Sequence, residues 1–328
     1  MREGIAAIAE LVRQTKTVAI CCHVSPDGDT IGSALALKLA MERLGKRVEV
    51  FCADKVPGVM AMLPGAGTVR TYASLALGQR FDLLFPVDTA SEDRLGNGVL
   101  EQMRVLCTDS CQIDHHGTNP GYCRVNCIDG TAPAAGLIVR ELLAALEVPL
   151  DRDLACCLYT AISTDTGNFS FNNVTAEAFR VAAELVEAGL PLAEMNRQLF
   201  VVQPEAQVRL TARAVEGMKI LHSGEVAVMV LKKADFEALE ALPEHAENVV
   251  NRALAVRGVR MAALLREHEG RVKASLRAVA PYVVSGIAAR FGGGGHAQAA
   301  GCTLNGPIEE AAARIGEALC AALDEARV

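Results

Sequence analysis

Acidic and histidine side chains that could bind cations are concentrated in four short segments of the first half of the chain. The first segment, His23 to Asp29 (HVSPDGD), places His23, Asp27 and Asp29 within seven residues. The other three contain Asp88, the triplet Asp114-His115-His116, and Asp165. Carboxylate oxygens combined with one or two imidazoles suit Mn²⁺ or Mg²⁺ better than a metal that prefers thiolates. Two such ions would activate a water and hold a phosphate for in-line displacement, so the residue types indicate a two-metal hydrolase.

Each segment taken alone also has an ordinary structural explanation. Asp-Gly pairs close turns, single aspartates cap helices, and paired histidines occur in many cores and surfaces. Together, the four segments favour a binding site more strongly than any one of them does alone. Each follows an apolar run, and the carboxyl ends of parallel strands meet at one edge of the sheet, where ligands bind. Four carboxylates in one pocket repel unless cations lie between them or some are protonated. The residues that we expect to converge around the ions are His23, Asp27, Asp29, Asp88, His115 and Asp165.

The elements that must position these residues alternate between strands and helices. Apolar, β-branched runs predict strands at 17–24, 47–52, 81–87 and within 105–113, and Pro86 predicts an irregular end to the third. An amphipathic helix is predicted over 1–16, and further helical patterns cover 28–44, 132–147, 151–163, 174–189 and 191–200. This alternation predicts an α/β fold with a doubly wound, mostly parallel sheet.

A smaller second domain is predicted beyond a loosening of the pattern near Gln203-Pro204. We place the catalytic domain at 1–190, a helical linker at 191–217 and an α+β domain with a mixed sheet at 218–328. In the last domain, strand pairs are predicted at 219–221 with 226–231 and at 257–266 with 271–279, and helices at 233–241, 283–290 and 307–326.

The composition restricts the partners of the chain. Of 328 residues, 39 are acidic and 32 basic, and the net charge of −7 lies wholly in residues 1–200, since residues 201–328 hold 15 of each. With no Trp, four Tyr and nine Phe, the chain is poorly equipped to stack along a long single strand. Two divalent ions would nevertheless turn the acidic pocket into an anion site, so we expect a small phosphorylated substrate.

Other features of the composition bear on location and on cysteine chemistry. No window has the ~20 apolar residues of a membrane span. Eleven cysteines without an export signal predict a reducing cytoplasm and free thiols. The spacings Cys107/Cys111 and Cys123/Cys127 leave a structural zinc site open as an alternative.

The four acidic and histidine segments, in this order, resemble the four motifs of the DHH phosphoesterase superfamily. The segment Phe291 to Gly301 (FGGGGHAQAAG) resembles the signature of its DHHA1 substrate domain. The length and two-domain layout most resemble the subfamily of nanoRNases and pAp phosphatases. The resemblance therefore implies a hydrolase that degrades very short RNA to nucleoside 5′-monophosphates and dephosphorylates 3′-phosphoadenosine 5′-phosphate (pAp). The resemblance does not decide whether the protein forms a homodimer.

The resemblance also implies individual roles. His23, Asp27 and Asp88 would hold one metal ion, and Asp29, Asp88, His115 and Asp165 the other, with Asp88 shared and Mn²⁺ preferred over Mg²⁺. Asp114 would orient the neighbouring histidines, and His116 would face the substrate phosphate or the leaving oxygen. Arg277, the glycine loop with Gly293, Gly294 and Gly295, and His296 would bind the substrate, with the active site in the cleft between the domains.

One departure and several alternatives accompany this interpretation. Thr131 to Ala135 (TAPAA) stands where relatives often open the helix with a Ser-Thr pair, which affects the helix cap more than the metal site. Residues 252–290 hold eight bases and two acids, and most of these bases are expected on a solvated strand face. The alternative functions are a pApA or cyclic-dinucleotide phosphodiesterase, a RecJ-like single-strand exonuclease, and a non-catalytic nucleotide-binding regulator.

Overall fold

The computed structural model describes residues 2–76, 78–268 and 270–326. The chain divides after Val202 into two compact units, which are described separately below. No helix in the described part of the chain is both long and apolar enough to cross a membrane.

The first unit contains one six-stranded sheet in which every pairing is parallel. Its strands are β1 (Thr17–Cys21), β2 (Arg47–Cys52), β3 (Arg70–Thr71), β4 (Phe81–Pro86), β5 (Cys107–Asp114) and β6 (Val125–Ile128). They are ordered β3-β2-β1-β4-β5-β6, so the order reverses between β1 and β4. Ligands of open α/β sheets bind at such a reversal, beyond the carboxyl ends of the strands. The α/β fold class is confirmed.

Helices cover both faces of this sheet. They are α1 (Ile5–Gln14), α2 (Gly28–Arg43), α3 (Val99–Leu106), α4 (Ala135–Ala145), α5 (Arg152–Asp165), α6 (Ala176–Glu187) and α7 (Leu192–Asn196). The larger core contains residues of α1, α2, α4 and α5 together with Val18 and Ile20 of β1. The smaller core, on the opposite side of β1, joins Ala19 and Cys21 to α3. The predicted helix over 132–147 is shorter, because its extended residue Ala134 immediately precedes the first turn.

Glycines allow α2, α4 and α5 to approach closely. A Cβ atom on Gly32 of α2 would lie 2.4 Å from the carbonyl oxygen of Cys157 in α5. A Cβ atom on Gly136 of α4 would lie 2.6 Å from Ala161 Cβ, also in α5. Since real side chains do not fit at these distances, the three helices can pack this closely only with glycine at both positions.

The second unit is built on a mixed six-stranded sheet. Its elements are α8 (Glu205–Glu216), β7 (Lys219–Leu221), β8 (Val226–Leu231), α9 (Lys233–Ala238), α10 (Val250–Leu254), β9 (Met261–His268), β10 (Arg271–Ala278), α11 (Ser285–Arg290), β11 (Gly294–His296), β12 (Ala299–Leu304) and α12 (Ile308–Glu325). The sheet order is β11-β12-β10-β9-β8-β7, with β8 and β9 parallel and the other pairs antiparallel. The predicted mixed sheet and both predicted strand pairs are present.

The two faces of this second sheet are covered unequally. On one face, α11 and α12 pack against apolar residues of β8, β9, β10 and β12. On the other face, α8 and α10 pack against β8 and β9, and this core includes no residue of β10, β11 or β12. No apolar cluster of the described residues includes this second face of β10, β12 and β11, although Ala246 and Val250 border Ser275 and Arg277 there, and we call it the open face.

Candidate metal centre

The two strands that flank the reversal of the first sheet deliver one ligand candidate each. His23 lies two residues beyond the end of β1, and Asp88 lies two residues beyond the end of β4. Asp88 has a left-handed backbone (φ 55), and its N–H donates to the carbonyl oxygen of Ile113 in β5 at 2.9 Å. Both side chains are buried, with 3% of His23 and 2% of Asp88 exposed. The sheet itself thus fixes the centre of the site.

All six predicted ligand candidates converge around these two residues. His23 Nε2 lies 3.5 Å from both Asp27 Oδ1 and Asp88 Oδ2. His115 Nε2 lies 3.3 Å from Asp88 Oδ1 and 3.2 Å from Asp165 Oδ2. Its distance to Asp29 Oδ2 is 3.7 Å. The donor atoms thus form two groups around His23 and His115 that meet at the two oxygens of Asp88.

Backbone carbonyls set which nitrogen of each inner histidine faces the carboxylates. His23 Nδ1 lies 2.8 Å from the carbonyl oxygen of Val24, and His115 Nδ1 lies 3.2 Å from that of Ala132. A carbonyl can only accept, so both Nδ1 atoms carry hydrogen and both Nε2 atoms face the carboxylates, where each can offer a lone pair to a cation once its proton is displaced. The Arg94 guanidinium, which can only donate, lies farther from His23 Nδ1, at 3.2 Å. Both imidazoles are thus oriented as metal ligands are.

Asp27 and Asp29 hold the ends of two helices. Asp27 caps α2, accepting from the amides of Asp29 and Thr30 at 3.1 and 3.2 Å. The fully buried Asp29 accepts from Ser33 Oγ at 2.9 Å, and from the amides of Ala135 and Gly136 at 2.5 and 2.9 Å. It therefore supplies from a distant segment the cap that the Thr131 to Ala135 sequence lacks, because Ala134 makes no side-chain cap.

Asp114 orients His116, and a residue that sequence reasoning missed orients Asp114. The Asp114 carboxylate accepts from His116 Nδ1 at 2.8 Å and from the His115 amide at 2.9 Å. The buried Asn119 Nδ2 donates to the other Asp114 oxygen at 2.6 Å and to the carbonyl oxygen of Thr89 at 3.0 Å. Asn119 thus links the segment of Asp88 to that of the histidines. Nothing in its spacing distinguishes it from an ordinary turn asparagine.

Crowding of the carboxylates shifts their pKa values and those of the imidazoles. Desolvation would lower the pKa of His23 and His115, but nearby carboxylates, Asp88 for both, raise each to about 10. Desolvation and the charge of Asp88 raise the pKa of Asp165 to about 7 and that of Asp29 well above its ordinary value. The side chains of this cluster therefore retain protons as long as no cation offsets the negative charge of the carboxylates.

The donor set fits divalent cations. Asp88 Oδ1 is buried and has no hydrogen-bond partner in the described chain, which is costly unless a cation or a solvent molecule meets it. Oxygen donors outnumber the two imidazoles in the pair of groups, as suits Mn²⁺ or Mg²⁺. None of the ligand groups found in the described residues contains a cysteine, and burial raises the pKa of the Cys111 thiol. The structure gives the zinc alternative no support.

The predicted substrate residues lie on the open face of the second unit. Arg277 of β10 and His296 of β11 both pair with Ala299 of β12, so they occupy one row of the sheet and point to one face. The predicted glycine loop is in part a strand, because Gly294 to His296 form β11. Gly293 is required by close approach, since a Cβ atom there would lie 2.1 Å from the carbonyl oxygen of Gly301.

Comparison with known proteins gives relatives along nearly the whole chain. Residues 17–162 match the DHH family, N-terminal domain, and residues 223–325 match the DHHA1 domain. The chain is 32% identical to the bifunctional oligoribonuclease and PAP phosphatase NrnA of Thermus thermophilus, over 97% of this chain and 94% of that protein. Its identity to NrnA of Bacillus subtilis is 24%, over 90% of this chain and 92% of that protein.

A solved structure agrees with these matches. An exopolyphosphatase-related protein from Bacteroides fragilis superimposes with a TM-score of 0.88 at 26% identity, over 96% of this chain and 95% of that one. The resemblance seen in the four motifs and in the glycine-rich segment is thereby confirmed. The chain belongs to the DHH family and carries a C-terminal DHHA1 domain.

Proposed function

We propose that this protein is a two-metal phosphoesterase that hydrolyses short oligoribonucleotides to nucleoside 5′-monophosphates and dephosphorylates pAp to AMP. The observation that carries the proposal is the pair of ligand groups around His23 and His115, which both approach Asp88, found in a chain similar to NrnA over 97% of its length. We also propose that the protein acts in a reducing cytoplasm, where its eleven cysteines would remain thiols.

In this proposal, His23, Asp27 and Asp88 hold one cation, and Asp29, Asp88, His115 and Asp165 hold the other. Two bound cations, for which we propose Mn²⁺, would supply positive charge to a phosphoryl oxygen and would increase the acidity of a water. Asp88 serves both ions because its two oxygens face different histidines. Asp29 and the N-terminus of α4 hold each other in place, so this ligand does not have to reorganise during turnover.

His116 is the proposed general acid. Its Nδ1–H is committed to Asp114, which leaves Nε2 as the ring atom that can transfer a proton. The hydrogen bond to Asp114 raises the pKa of His116 although partial burial opposes it, so the imidazolium form is favoured. That form can donate to the leaving oxygen as the P–O bond breaks. In the second unit, Arg277, His296 and the backbone segment of Gly293, Gly294 and Gly295 bind the phosphates of the substrate. The Gly293 amide itself donates to the carbonyl oxygen of Ala288 at 2.9 Å, so the close contact here comes from the absence of a side chain.

A substrate panel tests the proposal against its alternatives. The purified chain would be assayed with Mn²⁺ and with Mg²⁺ on RNA of two to twenty-four nucleotides, pAp, pApA, cyclic di-AMP and single-stranded DNA. We expect rapid release of nucleoside 5′-monophosphates from the shortest RNAs and of phosphate from pAp. Turnover confined to pApA or the cyclic dinucleotide would favour the phosphodiesterase alternative, and degradation of long DNA the RecJ-like one. Nucleotide binding without turnover of any substrate would favour the regulator.

A further inference from the structure

A second basic site lies on the open face, farther along β10 than Arg277. A cleft of about 520 Å³ is lined by Arg266, Arg271 and Lys273, together with Ser275 and the glycines Gly292, Gly293 and Gly301. Among the residues that the structure describes, its charged lining residues are all cations, and no carboxylate contributes to it. Such a cleft attracts anions and has no internal charge to neutralise it.

The strand register explains why these cations face one way. Lys273 pairs with Arg266 of β9 on one side and with Thr303 of β12 on the other, so these three side chains share a row. Ser275 and Gly301 form the next row, and Arg277 lies in the row after that. Because alternate residues of a strand share a face, Lys273 and Arg277 point the same way about 13 Å apart along β10.

The guanidinium of Arg266 is poorly satisfied by the protein. Its Nη1 donates to the carbonyl oxygen of Pro243 at 2.5 Å, whereas its Nε is buried without a partner. Neither Arg266 nor Lys273 forms an ion pair with any residue that the structure describes. A buried donor without a partner is costly, and a phosphate oxygen would satisfy it.

The cleft adjoins the cavity that contains Arg277. A smaller cavity of about 180 Å³ is lined by Arg277, Ser275 and Arg266, so Arg266 and Ser275 border both spaces. Glu247 also lines this smaller cavity and is absent from the larger one. An extended chain of phosphates can therefore pass from Arg277 to Lys273 along β10.

We propose that Arg266 and Lys273 form a second phosphate site that is occupied only by oligonucleotides longer than a dinucleotide. This inference rests on the proposed function. It identifies the residues that determine which lengths of RNA the enzyme prefers. A dinucleotide or pAp with a phosphate at Arg277 is too short to reach Lys273, because about 13 Å exceeds one internucleotide step. A pentanucleotide reaches both positions and gains an additional charge-assisted contact.

The test compares substrates of different length on single variants of the full chain. Arg266→Gln and Lys273→Gln should each raise KM for a pentaribonucleotide about tenfold, the loss of one charge-assisted hydrogen bond. KM for pAp and for a dinucleotide should stay within about twofold of the unaltered value. Lys273 is exposed, so its variant should fold normally even if Arg266→Gln does not. Arg209→Gln, which breaks an exposed pair with Glu205 in the same unit, controls for net charge.

Salt dependence and binding give independent measurements. For the pentanucleotide, the slope of log kcat/KM against log salt should fall by about 0.7 in either variant and remain unchanged for the dinucleotide. An equal rise in KM for every length, or none for the pentanucleotide, would overturn the second site. If the unaltered chain turns over no RNA, the proposed function fails. Anisotropy with a labelled phosphorothioate pentanucleotide then still decides whether Lys273→Gln weakens binding.

Discussion

Asp88 is the residue on which both ligand groups depend. Its two oxygens face His23 and His115 separately, and one of them is buried without a hydrogen-bond partner. Its left-handed backbone is held by the hydrogen bond that its N–H donates to the carbonyl oxygen of Ile113, and it sets the direction of the carboxylate. A change at this position should therefore affect both proposed metal ions, whereas a change at Asp27 or Asp165 directly removes a contact from one group.

Asp88→Asn should abolish turnover while leaving the fold intact. The amide has the shape of the carboxylate but lacks its charge, so we expect a loss of about 10³-fold or more in kcat/KM, roughly 4 kcal/mol. Metal content, measured by mass spectrometry after dialysis, should fall below that of the unaltered chain. Asp93→Asn removes an exposed carboxylate of the same unit and should change neither value. Near-normal activity of Asp88→Asn would contradict the proposed site.

Metal binding should release protons. The pKa values of about 10 for His23 and His115 and about 7 for Asp165 mean that part of the site is protonated near neutrality. A cation must displace these protons, so apparent affinity should rise as pH increases from six to nine. Calorimetric titrations in buffers of different ionisation enthalpy count the released protons.

Two histidine variants provide a matched comparison for the number of protons that metal binding releases. His115→Gln should release fewer protons, whereas His245→Gln, in the second unit, should release as many as the unaltered chain. Affinity that is independent of pH over this range would show that the ligands are already deprotonated.

The geometry of the site depends on how closely the helices α2, α4 and α5 pack. α2 carries Asp29, α5 ends at Asp165, and Asp29 accepts from the first amides of α4. Helix contacts through Gly32 and Gly136 keep these parts together. Backbone packing thus sets the distances between side chains that lie more than a hundred residues apart.

Gly32→Ala tests this packing. Alanine normally stabilises a helix interior by about 1 kcal/mol relative to glycine. Here its Cβ would meet a backbone oxygen, so we expect a net loss of roughly 1–3 kcal/mol in unfolding free energy and weaker Mn²⁺ binding. Urea unfolding and metal titration measure the two effects. Gly286→Ala in α11, where nothing lies within 4 Å of the added Cβ, should be neutral or slightly stabilising. A stabilised Gly32→Ala would refute the packing argument.

The sequence predicts the elements whose apolar residues recur with a strong period. It does not predict features that depend on contacts between distant segments. Apolar runs locate β1, β2 and β4, and residues that follow β1 and β4 are among those that converge at the site. The two-residue strand β3 and the glycine-rich strand β11 carry no hydrophobic period, so pattern alone does not reveal them. The capping of α4 by Asp29 and the support of Asp114 by Asn119 arise only from the tertiary fold.

For the molecule as a whole, each unit has its own hydrophobic cores and its own chemistry. The described ligand groups all lie before Val202, whereas the basic cleft lies entirely in the second unit. The net charge of −7 lies in the first 200 residues, which include all of these ligand groups. The boundaries 1–190, 191–217 and 218–328 stay predictions.

Calorimetry should therefore resolve two unfolding transitions, only one of which responds to metal. At a Mn²⁺ concentration about a hundred times Kd, binding contributes about 2.7 kcal/mol, which corresponds to roughly 5–10 °C for a unit of this size. The transition of the first unit should shift and that of the second should not. In Asp88→Asn the shift should largely disappear. Equal displacement of both transitions by Mn²⁺ would contradict the assignment of the site to the first unit.

The cap that Asp29 provides for α4 has a consequence for the order of events during biogenesis. The carboxylate and the amides that it accepts from are separated by 106 and 107 residues, so neither can be positioned until the intervening sheet and helices have formed. No short stretch of the nascent chain holds a complete cation site. Loading with metal must then be among the last steps of maturation, and a bound ion reports that the first unit has finished folding.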